Sequence, residues 1–398
     1  MSFYNFATNL SKTRVYLDNA ATTRVDSQVF EVMKPYFLEK YGVASSEFGH
    51  TQGIEAKDAL ENSRAVIAKR LSAQPGEIVF TSGGTESNNL AIKGIAYALK
   101  NKGNRIITSK IEHHSVINAC RALEKKGFEI VYLDVDIEGF VNLEQLEEMI
   151  NSKTILVSIQ QANQEIGTIQ ELDKIGDICR RKGVIFHTDA AQSFTKVPLS
   201  VKNLNVDLIS LTAHKIHGPK GIGALYIKKG TKIEKMIEGG FNEFNLRAGT
   251  ENIPGAVGFS KAVEIANEEQ IEYVRKLRHK LIKGIFSKVP HCQLNGSSEK
   301  RLPNNVNISF HFAEGESILL HLDMKGIAVT TGSACFSRSL EPSHVLMAMG
   351  FTHELAHGSV RYSLSKFNTE EEIDYTIEAT AEVVESLRKI SPLGKKEG

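Results

Sequence analysis

The sequence predicts an α/β fold: a mostly parallel sheet of seven strands in a large domain, followed by a smaller α+β domain toward the C-terminus. Three observations predict it. Short Val/Ile-rich runs alternate with segments of helical period, and strands separated by helices make a parallel sheet covered on both faces. The polar, glycine-containing motifs follow the strand-like runs, where open sheets of this kind bind ligands. After Gly255 the alternation stops, and a long Lys/Glu-rich helical pattern from about Ala256 to Val289 leads into shorter α and β segments.

In order, helices are predicted over Ser27–Lys40, Gly53–Leu71, Glu86–Lys100, Ser115–Lys126, Leu143–Ile150 and Glu171–Lys182. Their apolar residues recur at three- and four-residue spacing. Strands are predicted over Ile78–Thr81, Arg105–Thr108, Glu129–Leu133, Ile155–Ile159, Val184–His187, Leu208–Leu211 and Gly223–Ile227, each a short apolar run between turn signals. A last helix covers Glu370–Lys389. The domain division expected is 15–257 for the large domain, with 1–14 and 258–398 in the small one.

The chain has 398 residues, 41% hydrophobic and 24% charged, with a formal net charge of +1. That balance supplies no global field for nucleic acid or anionic lipid. No apolar run approaches the roughly 20 residues needed to span a bilayer, and Met1 to Arg14 lacks the apolar core of a secretory signal. Cys120, Cys179, Cys292 and Cys335 are far apart and form no CxxC pair. Free thiols in a reducing, cytoplasmic setting are expected.

The segment Ser210–Gly223 places Lys215 just past an apolar run and before a Gly/Pro-rich turn. A lysine held there tends toward its neutral, nucleophilic amine, which condenses with aldehydes; pyridoxal phosphate is the commonest such cofactor. A lone lysine at a strand end is ordinarily a surface residue, so the reading depends on other segments. Thr81-Ser82-Gly83-Gly84-Thr85 lies between a strand and a helix, where free N–H groups and hydroxyls suit a phosphate. Ordinary capping explains that turn equally well. Asp189 follows a buried strand and needs a partner, which in a pyridoxal enzyme is the protonated ring nitrogen. Glu112-His113-His114-Ser115 offers a histidine to stack on a ring and a serine cap, with a capping role equally open for His114.

Cys335 sits in a polar, small-residue stretch, unlike Cys120 and Cys179 on apolar helix faces, and reads as an accessible thiol whose thiolate is the reactive form. His353-Glu354-Leu355-Ala356-His357 matches a zinc-protease pattern. That chemistry needs both histidines on one helical face and a third ligand downstream. Gly350 and Gly358 leave barely two turns, and no further histidine follows at the right spacing, so no metal site is expected.

Taken together, these residues resemble the cysteine desulfurases of the iron–sulfur assembly type, pyridoxal-phosphate enzymes of the class V aminotransferase family. The resemblance runs from Tyr16-Leu17-Asp18-Asn19-Ala20-Ala21 to Ser359-Val360-Arg361-Tyr362-Ser363-Leu364 and rests chiefly on Ala213-His214-Lys215-Ile216-His217-Gly218-Pro219 and on Gly332-Ser333-Ala334-Cys335 with Leu340-Glu341-Pro342-Ser343-His344. It implies the type I fold of pyridoxal-phosphate transferases. It implies that Lys215 binds the cofactor's aldehyde, Asp189 pairs the ring nitrogen and His113 stacks on the ring. Gln192 and Asn163 would lie near the phenolic oxygen. Gly84, Thr85, Thr212 and His214 would hold the phosphate, and Thr250 would reach the phosphate of a second subunit in a homodimer. Arg361 would clamp the carboxylate of free L-cysteine, with Asn19 and Ala20 lining its site.

By the same resemblance, the Cys335 thiolate would take the substrate's sulfur as a persulfide, leaving alanine. A mobile loop of about 330–341 would pass the sulfur to an iron–sulfur scaffold or another acceptor, including carriers for tRNA thiolation. In a complex, Cys335 would also help hold a cluster transiently; no resting metal ligand is expected. The chain departs from the family pattern at 41–53, at 239–245 and at Arg338, none of which touches the cofactor core. Two alternatives remain at this point: a selenocysteine lyase or aminotransferase of the same family, and a non-catalytic protein on the same fold.

Overall fold

The computed structural model describes residues 14–332 and 342–390. Its strands are β1 (Val15–Tyr16), β2 (Ile78–Thr81), β3 (Arg105–Ser109), β4 (Glu129–Leu133), β5 (Thr154–Ser158), β6 (Ile185–Asp189), β7 (Leu208–Thr212), β8 (Gly223–Ile227), β9 (Cys292–Leu294), β10 (Asn305–Phe310), β11 (Ile327–Ala328) and β12 (Ser359–Ser363). Seven of them form one sheet in the order β2-β8-β7-β6-β5-β3-β4. Every residue of β2, β5, β7 and β8 is buried, as a sheet covered on both faces requires. β8 runs antiparallel to both its neighbours; the other pairings are parallel.

The helices fall where the periodicity places them, with three instructive differences. Pro35 removes a donor, and the first helix stops at Met33 before a short turn over Pro35–Leu38. The long pattern from Ala256 is two helices, Ile253–Ile265 and Glu268–Lys288. Asn267 ends the continuity because its side chain accepts from the Gln270 N–H and caps the second helix. The third difference is at strand ends: Ser109, Asp189 and Thr212 are the last residues of their strands, where the predicted strands stop one or two residues short of them.

The three-stranded antiparallel sheet β12-β10-β9 and the parallel pair β1-β11 belong to a second, smaller core. Val15 and Leu17 pack there with Leu281, Ile308 and Val384, while Phe259, Ala262 and Val263 pack with the large sheet. Val15 and Leu17 thus pack with the smaller core, and the helix Ile253–Ile265 with the larger. A separate apolar cluster of Ile111, Ile166, Val345, Leu346 and Phe351 ties the large sheet to the segment after residue 342.

No helix among the described residues is long and apolar enough to cross a membrane.

Candidate active site

Parallel strands put their carboxyl ends on one edge of the sheet. β6 and β7 pair with Asp189 opposite Ser210, so Asp189 and the turn carrying Lys215 lie at adjacent strand ends. Asp189 is 8% exposed, and each carboxylate oxygen has a donor. Oδ1 accepts from the Ala191 N–H at 2.9 Å, and Oδ2 accepts from Asn88 Nδ2 at 2.7 Å. Asn88 lies on the helix Gly84–Leu99, and its Nδ2 also donates to Ser115 Oγ at 2.8 Å. Ser115 Oγ in turn meets His113 Nδ1 at 2.8 Å. One polar network thus joins the acid, the histidine and the helix behind them. Asn88 was not singled out in the sequence. Its signal is a polar residue four positions after Gly84 on an otherwise apolar helix face.

His113 caps the helix His114–Glu124, accepting from the Ser115 N–H, with its ring largely buried above Asp189. Burial holds its pKa below the usual histidine value; Lys215 and His114 act the same way, and Asp189 opposes them. A neutral, planar ring at this position is suited to covering another ring rather than to carrying charge. Beneath it, Glu112 is fully buried, accepts from Ser109 Oγ at 2.6 Å and from the Gln160 N–H, and burial pushes its pKa up to about 8.

Lys215 Nζ donates to the carbonyls of Ala20 and Ala21, the latter at 2.6 Å. The Ala20 carbonyl also accepts from Gln192 Nε2 at 3.0 Å. Asn19 is 2% exposed and donates through Nδ2 to Ser363 O at 2.8 Å, and the Ala20 N–H donates to Ser363 Oγ at 2.8 Å. The Asn19–Ala20 turn therefore carries β12 of the smaller core directly to the lysine.

The segment after β2 forms an open cradle at the N-terminus of Gly84–Leu99. Its walls are close: a Cβ on Gly84 would stand 3.6 Å from the Ala191 Cβ and 3.8 Å from the Thr212 Cβ. Thr212 Oγ1 is buried there without a hydrogen-bond partner. His214 Nδ1 meets Thr22 Oγ1 at 3.2 Å, and burial, with Lys215 and Lys220 nearby, holds its pKa down at about 4. Thr85 is exposed at the first turn of the helix. Free N–H groups, an orphaned hydroxyl and a helix N-terminus are the donor set of a phosphate monoester site. With an aldehyde-reactive amine and a carboxylate at adjacent strand ends on the same sheet edge, the set fits pyridoxal phosphate.

Two further expected residues lie beside this set. Asn163 is fully buried, and its side chain builds its own turn: Oδ1 accepts from the Glu165 and Ile166 N–H groups, and Nδ2 donates to Ile111 O at 2.9 Å. Thr250 is exposed and borders a crevice with Ser82 and Gly221.

Arg361 lies mid-strand in β12 and is 2% exposed. Nη2 donates to Asp18 Oδ1 at 2.8 Å and Nη1 to Gln164 O at 2.9 Å, while Nε is buried without a partner. Asp18, missed in the sequence, thus aims the guanidinium from the start of the chain. Cys335, with Arg338 beside it, lies outside the described residues. His353 and His357 are exposed on a five-residue helix that stops at Gly358, and among the described residues no group of three metal-ligating side chains converges.

Comparison with known proteins places these residues in context. The aminotransferase class-V family model matches residues 15–376. A cysteine desulfurase IscS from Dictyoglomus turgidum is 51% identical over 384 residues, covering 96% of this chain and 97% of its own. A solved NifS-like protein superposes with a TM-score of 0.87 at 41% identity, covering 94% of this chain and all of that one. A structure of SspA in complex with cysteine matches with a TM-score of 0.81 at 36% identity, over 89% of this chain and 100% of that one.

Proposed function

We infer how this site works from one premise: the chain belongs to the aminotransferase class-V family and is a pyridoxal-phosphate-dependent cysteine desulfurase. The observation that carries the reading is the pairing of β6 with β7, which sets Asp189 and Lys215 on one edge of the sheet. When bound, the cofactor supplies an electron sink beside the substrate's Cα. Everything else falls to side chains of this chain.

Lys215 would hold the cofactor by its aldehyde, and its amine would take the substrate's Cα proton as general base. Asp189, fixed by Asn88 and the Ala191 N–H, keeps the ring nitrogen protonated. His113 covers the ring face. Gly84, Thr85, Thr212 and His214 hold the phosphate, and Gln192 lies toward the phenolic oxygen. Arg361 receives the cysteine carboxylate as a charge-assisted fork, with Asn19 and Ala20 beside it.

Sulfur leaves through Cys335. Its thiolate attacks the substrate sulfur, forming an S–S bond as the Cβ–S bond breaks. That bond's electron pair stays on carbon and is protonated, so alanine is released and Cys335 holds a persulfide. The persulfide then passes to an iron–sulfur scaffold or another sulfur acceptor. Cys120 and Cys179 are buried, and burial pushes both thiols up to about 12, so neither competes for the sulfur.

A homodimer is proposed as well. Leu38 is 82% exposed, Phe48 96% and Phe241 85%, the last two within the segments where the chain departs from the family pattern. Exposed apolar residues of that size mark contact surfaces. Thr250, exposed beside them in sequence, is then positioned to reach a second subunit. Reduced, unbridged thiols accord with a cytoplasmic enzyme.

The test is sulfide and alanine production from L-cysteine by Cys335→Ala, with the visible spectrum taken on the same sample. The expected outcome is an unchanged cofactor band with sulfide lost. Full sulfide production by Cys335→Ala would overturn the role of Cys335.

A further inference from the structure

Behind Lys215, at the seam between the two cores, a cavity encloses about 570 Å³ of free space up to its open side. None of His113, Asp189, Asn88, Thr85 or Arg361 borders it; Lys215 is the one residue it shares with the active site described above. Its walls come from both cores. The break between Ile265 and Glu268 gives one wall, with Ile265, Ile271 and Val274; Pro303 and Leu364 face them. Its lining is mostly apolar with a few polar groups, the composition of a small-molecule site.

Its charge is unbalanced. Lys196, Lys215 and Lys366 line it, and among the described residues no carboxylate does. Lys366 is matched by Asp26 just behind it, at 2.6 Å. Lys215 is engaged by the Ala20 and Ala21 carbonyls. His217 adds no charge, because burial holds its pKa at about 4. Lys196 is the exception: its amine donates to Gln192 O at 2.9 Å and faces no acid. Burial, with Lys215 second, lowers its pKa to about 7. A buried amine needs an opposing charge to remain ionised. One such amine against hydrocarbon walls calls for a small monoanion with an apolar body.

We propose that this interdomain cavity is a second binding site, for a small aliphatic monocarboxylate whose carboxylate pairs with Lys196 and whose hydrocarbon part packs on Ile265, Ile271 and Val274. The occupant touches both cores, so binding there bears on how they are held together at Lys215.

The experiment uses the cofactor-loaded enzyme, with isobutyrate as probe and isobutyramide as its uncharged match, read by titration calorimetry and ligand-detected NMR. Isobutyrate is expected to bind saturably with a Kd of about 1 mM, and isobutyramide at least about tenfold more weakly. Lys196→Met should weaken isobutyrate about tenfold, and Ile271→Trp, which fills the apolar wall, should weaken it independently. Binding should persist in Arg361→Gln, which separates this site from the substrate's. The proposal is overturned by no saturable binding up to about 50 mM, by equal affinity for the amide, by binding unchanged in both Lys196→Met and Ile271→Trp, or by binding lost only in Arg361→Gln.

Discussion

The cofactor floor and the substrate fork are built by different means. Lys215, Asp189, His113 and the cradle at Gly84 all sit at carboxyl ends of strands in one sheet, held by the apolar layers packed on that sheet. Arg361 lies mid-strand in the smaller core, and its direction comes from Asp18 and the Gln164 carbonyl. The floor is thus preorganised within one folding unit. Substrate recognition depends on how two units meet. Asn19 and Ala20 are the joint, because the same turn bonds β12 and receives Lys215.

Four changes break or sharpen that contrast. The largest effect is expected for Lys215→Ala, which removes both the aldehyde's attachment point and the base. Sulfide production should fall by at least about 10³-fold, since a positioned base alone is worth about 10²–10⁴-fold. Next is Arg361→Gln. Losing a charge-assisted fork costs about 1.5–3 kcal/mol per bond, so kcat/KM for cysteine should drop about 100-fold with the cofactor spectrum unchanged. Steady-state kinetics and absorption on the same sample check both halves.

Asn88→Ala should give the converse pattern. Asp189 loses its Oδ2 donor, and cofactor affinity should weaken about tenfold, as expected for one hydrogen bond to a charged group. The KM for cysteine should stay within about twofold of its original value. Glu112→Gln is the smallest change, and it concerns the floor's stability alone. Its folded pKa of about 8 lies above the ordinary 4.5 because of burial. The proton is therefore bound more tightly in the folded state. Stability from this group is present below pH 4.5 and is lost as pH rises toward 8. Thermal denaturation of Glu112→Gln should show a shallower decline across that window than the unaltered protein.

How far the sequence foretold each region follows the same division. The floor was legible because each of its residues lies next to its own strand in the chain, so an apolar run followed by a polar motif locates it. Arg361 was not legible from pattern, since a mid-strand arginine reads as buried structure until a partner is known; only the family resemblance pointed to it. Asn88 and Asp18 were missed because their partners lie 101 and 343 residues away. The same holds for Glu243, whose carboxylate takes two bonds from Arg64 and one from the Phe80 N–H. Glu243, Phe244 and Asn245 all have positive φ, where the family pattern is richer in glycine. The buried Arg64 pair, 179 residues away, holds that strained turn in place.

The most direct test is a paired titration of Asn88→Ala and Arg361→Gln, first with pyridoxal phosphate and then with L-cysteine. Floor and fork as separate constructions predict a weakened cofactor constant with normal cysteine saturation in Asn88→Ala, and the reverse in Arg361→Gln. Both constants shifting together in both variants would contradict that separation.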